Sequence, residues 1–478
     1  MKNSLIDFVA VCALALMLTL LFPDSAMAQD QRGPSCLTPL LPRPTEDVET
    51  VRARFNDRTR TPPPDPQVGD SWDWWIWDLG GYPTATKMPC TVRGMGDNIY
   101  IVVEDGQWNV NIDQADVDRI VDHFENVSLG NFPTQGIWDL NTSHFGYPPN
   151  SDGLDRIFFL YYEFGISSDG FFWYFDQYPD GSQPFHSNEA DVIYLATDSG
   201  TPASDYMMAV GAHEFEHMIH FDTDSNEDSW VDEGMGELAM WLFGHPDSIS
   251  GFNTNPDNSL VDFSGAWGDY IQTYLWTLYA YEQFGGQPFI WEVCHQKQNG
   301  MNGYQLSMTN LGFSTTTQNT FGNWSAANFL DEPDIYAGQY GYLGDTLPAF
   351  TSFRTHTTYP VINSSGSVKA WATDYARLLS LNPGVPVITF NGNDTHAFRV
   401  KILGIDAVRP TIVKDMVLNA ANDGYFDGFM FVGYDQVEIS IASVTTTGTG
   451  SYTYSVEVHP MTGPDPAGRI MESKKPSF

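Results

Sequence analysis

The sequence predicts an α+β fold, with a mixed sheet beside a buried helix, a helical subdomain, and a C-terminal antiparallel β-sandwich. Three observations carry this expectation. Apolar runs of strand length, 98–104 (NIYIVVE), 156–162 (RIFFLYY) and 190–196 (ADVIYLA), are interleaved with a helical pattern in the first part of the chain. Between about 204 and 331 helical spacing dominates. Beyond 365, short runs such as VPVITF, AFRVKILG, VEISIAS and YTYSVEV alternate with Gly, Asn and Asp turns, as in an antiparallel sandwich.

At 478 residues the chain exceeds one typical domain. Its 42% hydrophobic and 14% aromatic content supplies a packed core and argues against disorder. The formal net charge of −38 argues against nucleic acid or an anionic membrane surface as a partner. It favours solubility and divalent cations.

In chain order, residues 1–28 read as a signal peptide. Lys2 gives a weak positive start, 8–22 an apolar stretch, and Ala26-Met27-Ala28 a cleavage pattern, so the exported chain is expected to begin at Gln29. The apolar stretch is short for a membrane span, and no later segment is long enough, so no membrane contact is expected once the signal is removed. Residues 29–68 are polar and Pro-rich, a linker, a propeptide or an N-terminal arm. Asp113 can cap a helix over 114–125. A helix over 204–220 follows a Gly-Thr-Pro turn. A second runs over 229–243, with Ser229 and Asp232 spaced as a capping box and Gly244 as its stop. A long amphipathic helix covers about 267–284 and ends at Gly285-Gly286, with shorter pieces to about 331. The sandwich is expected over 365–460 as an independent unit, so a chain ending near 350 should keep any site upstream. Residues 461–478 read as a disordered tail. No internal repeat stands out.

Cys12 leaves with the signal, which leaves Cys36, Cys90 and Cys294. An odd count in an exported chain permits one disulfide. Cys36–Cys90 is the expected pair, because Cys294 falls inside a helical segment. No CxxC occurs, so cysteine-ligated zinc is not expected.

His213-Glu214-Phe215-Glu216-His217 is an H-E-x-x-H motif. On a helix, side chains four apart share a face, so both imidazoles can reach one metal ion. Glu214 is then set to act as general base on a water at that ion. The next helix carries Glu233, 16 residues after His217, and Glu237 one turn further on. One of these carboxylates can complete a His₂Glu site with the fourth position left for water. The other can hydrogen-bond a ligand imidazole from behind. Glu233 is expected as the metal ligand and Glu237 as the supporting group. A competing reading takes Asp222-Thr-Asp224-Ser-Asn226 as the start of a calcium loop with Glu233 at its twelfth position. Glu227 stands where such a loop needs Gly. Asp152-Gly153-Leu154-Asp155 is a second, weaker candidate for structural calcium.

The segments HEFEHMIHFD and EDSWVDEGMGELA resemble the gluzincin metallopeptidases, and most closely the hyicolysin-like family, with its HEFQH pattern followed by a WLNEG-type helix. Asn188-Glu-Ala-Asp-Val-Ile-Tyr-Leu and Phe321-Gly-Asn-Trp-Ser-Ala-Ala-Asn-Phe-Leu-Asp-Glu-Pro, continuing to Gly341-Tyr342, extend the likeness over about 95–345. Immune inhibitor A-like peptidases are more distant, since the Gly-Leu-Pro-Asp stretch after their HEFGH is absent. The resemblance implies a zincin-type metallopeptidase domain over 69–350, with His213, His217 and Glu233 as zinc ligands and Glu214 as the catalytic base. Asp232 stands where the family commonly has Asn, a departure expected to bear on substrate-side polarity and not on ligation.

The function expected is therefore a secreted zinc metalloendopeptidase, with one Zn²⁺ per chain and proteins or peptides as substrates. The oxyanion formed on attack needs a donor beyond the metal. Tyr270 is the candidate and Tyr274, one turn on, the runner-up. His220 is read as a structural hydrogen-bonding residue. Two other classes compete: a secreted adhesion or binding protein with a structural zinc site, and a zinc hydrolase of non-peptide bonds. The presence of Glu214 favours an enzyme over the first.

Overall fold

The protein is described by a computed structural model covering residues 36–46, 48–55, 65–80 and 83–460. The expected signal peptide and disordered tail lie outside the described residues, as does part of the Pro-rich arm. Among the described residues, no helix is long and apolar enough to cross a membrane.

The fold is mixed α+β. A short helix α1 (Val48–Phe55) precedes strands β1 (Ser71–Asp78), β2 (Thr84–Met95) and β3 (Ile99–Glu104). Helices α2 (Gln114–Glu125) and α3 (Ile137–His144) connect β3 to β4 (Ile157–Tyr162), and β5 (Gly170–Phe172) and β6 (Val192–Ala196) follow. These strands form one sheet in the order β1-β2-β3-β4-β6-β5, with β3, β4 and β6 parallel and the remaining neighbours antiparallel.

The period-two alternation of strand side chains explains why the central strands read as unbroken apolar runs. Ile99, Ile101, Val103, Ile157, Phe159 and Tyr161 face the helices. Tyr100, Val102, Phe158 and Leu160 pack on the other face with Trp74, Trp77 and Trp173. Both faces are covered, so neither needs polar residues.

Helix α4 (Asp205–Thr223) lies in the helix-side core and is buried at every position from Met207 to Phe221. Such a helix is central to a fold and not surface-lying. Ser204 caps it by accepting from the Met207 amide. Helix α5 (Ser229–Phe243) packs against α4 and against α6 (Trp267–Gln283). A Cβ at Gly234 would meet Thr277 Oγ1 at 2.4 Å, so glycine there lets α5 and α6 approach. Gly244 ends α5 in the left-handed region at φ 102°, as its position in the sequence implied. The N-terminus of α5 differs from expectation. Asp228 is the cap residue, Ser229 is already helical, and no side-chain cap bond forms. Asp232 makes no capping box because its carboxylate is turned to two histidines and Arg43. Helices α7 (Gln287–His295), α8 (Gly300–Asn310) and α9 (Thr317–Leu330) complete the helical layer.

The C-terminal part holds two sheets around one apolar core. Strands β7 (Arg354–His356), β8 (Val361–Lys369), β9 (Ala372–Leu379), β10 (Val385–Gly392), β11 (Phe398–Ile405), β12 (Ile412–Met416), β13 (Asp423–Asp427), β14 (Gln436–Ser443) and β15 (Thr449–His459) make them up. The orders are β13-β10-β15-β8 and β12-β11-β14-β9-β7. Pairing is antiparallel except at one edge, where β7 runs parallel to β9. The β region therefore begins near Arg354, earlier than the sequence suggested. It is also tied to the helices. Trp371, Tyr375, Ala442 and Val444 belong to the helix-side core, and the Tyr375 hydroxyl donates to the Ser325 carbonyl at 2.6 Å.

Candidate metal centre

Helix α4 presents His213 and His217 one turn apart on one face, with their Nε2 atoms 3.0 Å apart. Helix α5 brings Glu233 opposite them. Its Oε2 lies 3.3 Å from His213 Nε2 and its Oε1 lies 3.4 Å from His217 Nε2. A fourth donor comes from the N-terminal arm, where Cys36 Sγ is 3.5 Å from His217 Nε2. One ligand atom from each of Cys36, His213, His217 and Glu233 falls within a 4.8 Å cluster, and all four residues are buried.

Whether these residues suit a metal is tested by what they leave unsatisfied. Glu233 is fully buried, yet neither carboxylate oxygen has a hydrogen-bond partner. A buried carboxylate without a hydrogen bond is costly, and a bound cation removes that cost. Two imidazoles, a carboxylate and a sulfur are ligands that Zn²⁺ accepts in tetrahedral array. The residues fit the ion. Gly236 contributes by absence, since a Cβ there would come within 2.8 Å of the His213 ring.

No protein-family model matches this chain, and no curated protein matches it.

Around the four donors stands a ring of buried acids. Glu237 Oε1 lies 3.7 Å from His213 Nδ1, on the far side of the ring. Asp232 Oδ1 lies 3.5 Å from His217 Nδ1 and 3.3 Å from His220 Nδ1. Glu216 lies 3.5 Å from His217 Nδ1 and 3.4 Å from His220 Nδ1. Acids behind an imidazole favour the proton on the nitrogen that faces them. Two further groups of potential ligands adjoin the site, Glu216–His220–Cys294 and Glu216–His217–Asp232.

Burial and close neighbours shift the titration of these groups in opposite directions. Burial pushes Glu233 up to about 8 against the pull of His217. It pushes Glu216 up to about 8 as well. Burial holds His213 down to about 3, with His217 adding to the effect. Although burial opposes charge on His217, Glu233 and Asp232 hold it up to about 10.

Glu214 stands outside the ligand group. Its Oε2 accepts from Thr38 Oγ1 at 2.9 Å and its Oε1 is unpartnered, while burial raises its pKa. The Tyr270 hydroxyl reaches the site and donates to the Cys36 carbonyl at 3.2 Å. Tyr274 does not, since its hydroxyl donates to Asp345 Oδ2 at 2.7 Å.

One expectation is corrected. Cys36, Cys90 and Cys294 are all free, so the Cys36–Cys90 disulfide does not form. Cys36 is held at His217, whereas the Cys90 thiol on β2 is turned to the Met88 carbonyl. The competing calcium loop from Asp222, disfavoured by Glu227 at its sixth position, gains no support at Glu233. That carboxylate faces the histidines, and Glu227 Oε1 accepts from the Asp228 and Gly300 amides. Asp232, expected to bear on substrate-side polarity and not on ligation, lies beside the His217 and His220 imidazoles. Cys36 was missed as a donor because 177 residues separate it from His213, so no local spacing marks it. Asp232 carried a weak signal, its adjacency to Glu233 on a helix facing two histidines.

Proposed function

We propose that the chain is a zinc-dependent peptidase in which His213, His217 and Glu233 hold the ion and Glu214 is the general base. The observation that carries the reading is the fully buried Glu233 carboxylate, aimed at both imidazoles with no hydrogen bond of its own. Zinc bound there supplies Lewis acidity to a scissile carbonyl and to an attacking water.

The chain's own residues account for the rest. Glu214, excluded from the ligand group and raised by burial, takes a proton from the attacking water and returns it to the departing amine. Tyr270 supports the carbonyl oxygen as charge develops, and its hydroxyl already donates to a peptide carbonyl, that of Cys36. Asp232 and Glu237 orient the two imidazoles. The resemblance of residues 213–239 to the gluzincins, closest to the hyicolysin-like family, supports the same assignment and a zincin-type fold around it. The N-terminal 28 residues support export from the cell.

The test is zinc content and casein hydrolysis measured together, on the intact chain and after limited proteolysis. One zinc per chain with chelator-sensitive hydrolysis is expected. Protein that takes up no zinc on titration refutes the site, and zinc-loaded protein that cleaves no peptide bond in either form refutes the activity.

A further inference from the structure

The proposed reaction leaves Cys36, and the segment that carries it, without a role. We propose that Cys36 is the fourth ligand of the same metal in a latent form, and that residues 36–43 lie in the substrate cleft as an intramolecular inhibitor. The inference rests on the metal site proposed above.

Each group the reaction needs is engaged by this segment. Cys36 Sγ lies 3.5 Å from His217 Nε2, in one cluster with the ligand atoms of His213, His217 and Glu233. The base Glu214 is hydrogen-bonded by Thr38 Oγ1. The Tyr270 hydroxyl donates to the Cys36 carbonyl, where a substrate carbonyl would compete. β5 is one edge of the six-stranded sheet, and the arm is added to it. Cys36 bridges Gly170, the Leu37 amide donates to the Gly170 carbonyl at 3.2 Å, and the Phe172 amide donates to Thr38 Oγ1 at 2.8 Å. Addition of an extended chain to an exposed sheet edge is a general mode of peptide binding. The arm therefore also marks the path of a substrate, along β5 and across the metal.

Anchors beyond the cleft hold the arm in place. Arg43 Nη2 donates to Asp232 Oδ2 at 2.9 Å and Nη1 to the Glu227 carbonyl at 3.1 Å, with the guanidinium 5.2 Å over the Tyr174 ring. Further on, Val51 of α1 is fully buried in the helix-side core. A tethered inhibitor of this kind acts at an effective concentration in the millimolar range. Ligation replaces the thiol by a thiolate and releases one proton to solvent. Hydrolysis of one peptide bond C-terminal to the docked segment, consuming one water, turns the tethered ligand into a dissociable one.

X-ray absorption at the zinc edge tests this directly on the intact zinc-loaded chain. One sulfur at about 2.3 Å is expected in the first shell, together with nitrogen and oxygen. In Cys36→Ser the sulfur is lost while zinc stays bound. Limited proteolysis that releases the arm removes the sulfur from wild type and raises casein hydrolysis at least about ten-fold, as the tether's effective concentration is lost. Zinc bound by nitrogen and oxygen alone in the intact chain overturns the inference and leaves the metal site standing. Sulfur that persists in Cys36→Ser traces to Cys294 and also overturns it. An intact chain that takes up no zinc overturns both.

Discussion

Glu214, Glu233 and Glu237 stand in three different relations to one pair of imidazoles, and substitution separates them. Glu233 lies within 3.4 Å of both ring nitrogens, so Glu233→Gln should weaken zinc binding sharply, an amide replacing an anionic oxygen. Glu214 lies outside the ligand group, so Glu214→Gln should keep zinc and lose nearly all hydrolysis. Glu237 lies behind His213, 3.7 Å from its Nδ1, and is not in the ligand group, so Glu237→Gln should cost roughly ten-fold to a hundred-fold in affinity or activity. Zinc content and casein hydrolysis on the three variants give three distinct signatures. An empty Glu237→Gln beside a loaded Glu233→Gln would move the ligand by one helical turn. Tyr270→Phe should lower kcat by roughly ten-fold to a thousand-fold with zinc retained. Tyr274→Phe should leave kcat unchanged, because that hydroxyl is bonded to Asp345; a depressed Tyr274→Phe beside a normal Tyr270→Phe would reverse the assignment. At this scale the histidine pair was legible because the helical repeat writes it into five residues. Cys36 was not, because only the folded chain brings it to His217.

Among the elements, the central strands were legible because burial on both faces leaves an apolar run, and α4 because a Gly-Thr-Pro turn precedes it and its histidines recur at helical spacing. The start of α5 was not, because the Asp232 side chain that would close a capping box is drawn to His217, His220 and Arg43. The same competition between burial and partner acts in the sandwich. Asp374 on β9 is buried and accepts from the Tyr452 hydroxyl on β15 at 2.5 Å, and burial pushes it up to about 7. A carboxylate raised in the folded state holds its proton more tightly there than in the unfolded chain. Its contribution is present at acid pH and is lost as pH rises from about 4 to about 7. Asp374→Asn removes that loss, so the melting temperature of the variant relative to wild type should be higher at pH 8 than at pH 5. A difference that is flat between the two pH values would show that Asp374 titrates normally.

Across the whole molecule, the two-part layout was legible from the change of period near residue 365, but the attachment of the parts was not. Sequence suggested a separable sandwich. The structure packs Trp371 against Phe321 at 5.3 Å between ring centroids and ties Tyr375 to Ser325. A chain ending at residue 350 should still bind zinc, because every candidate ligand lies upstream of that point. It should melt at a lower temperature, since losing even ~2 kcal/mol of interface shifts the transition of a large domain by roughly 4–8 °C. Calorimetry with and without the sandwich checks this, and an unchanged transition would mean the interface contributes nothing.

His213, His217 and Glu233 are proposed to hold one zinc ion. Anomalous diffraction at the zinc edge, on crystals of the zinc-loaded chain, tests it most directly. One strong peak per chain is expected, about 2.0–2.2 Å from His213 Nε2, His217 Nε2 and a Glu233 oxygen. No peak at that point, or a peak among Glu216, His220 and Cys294 instead, would contradict it.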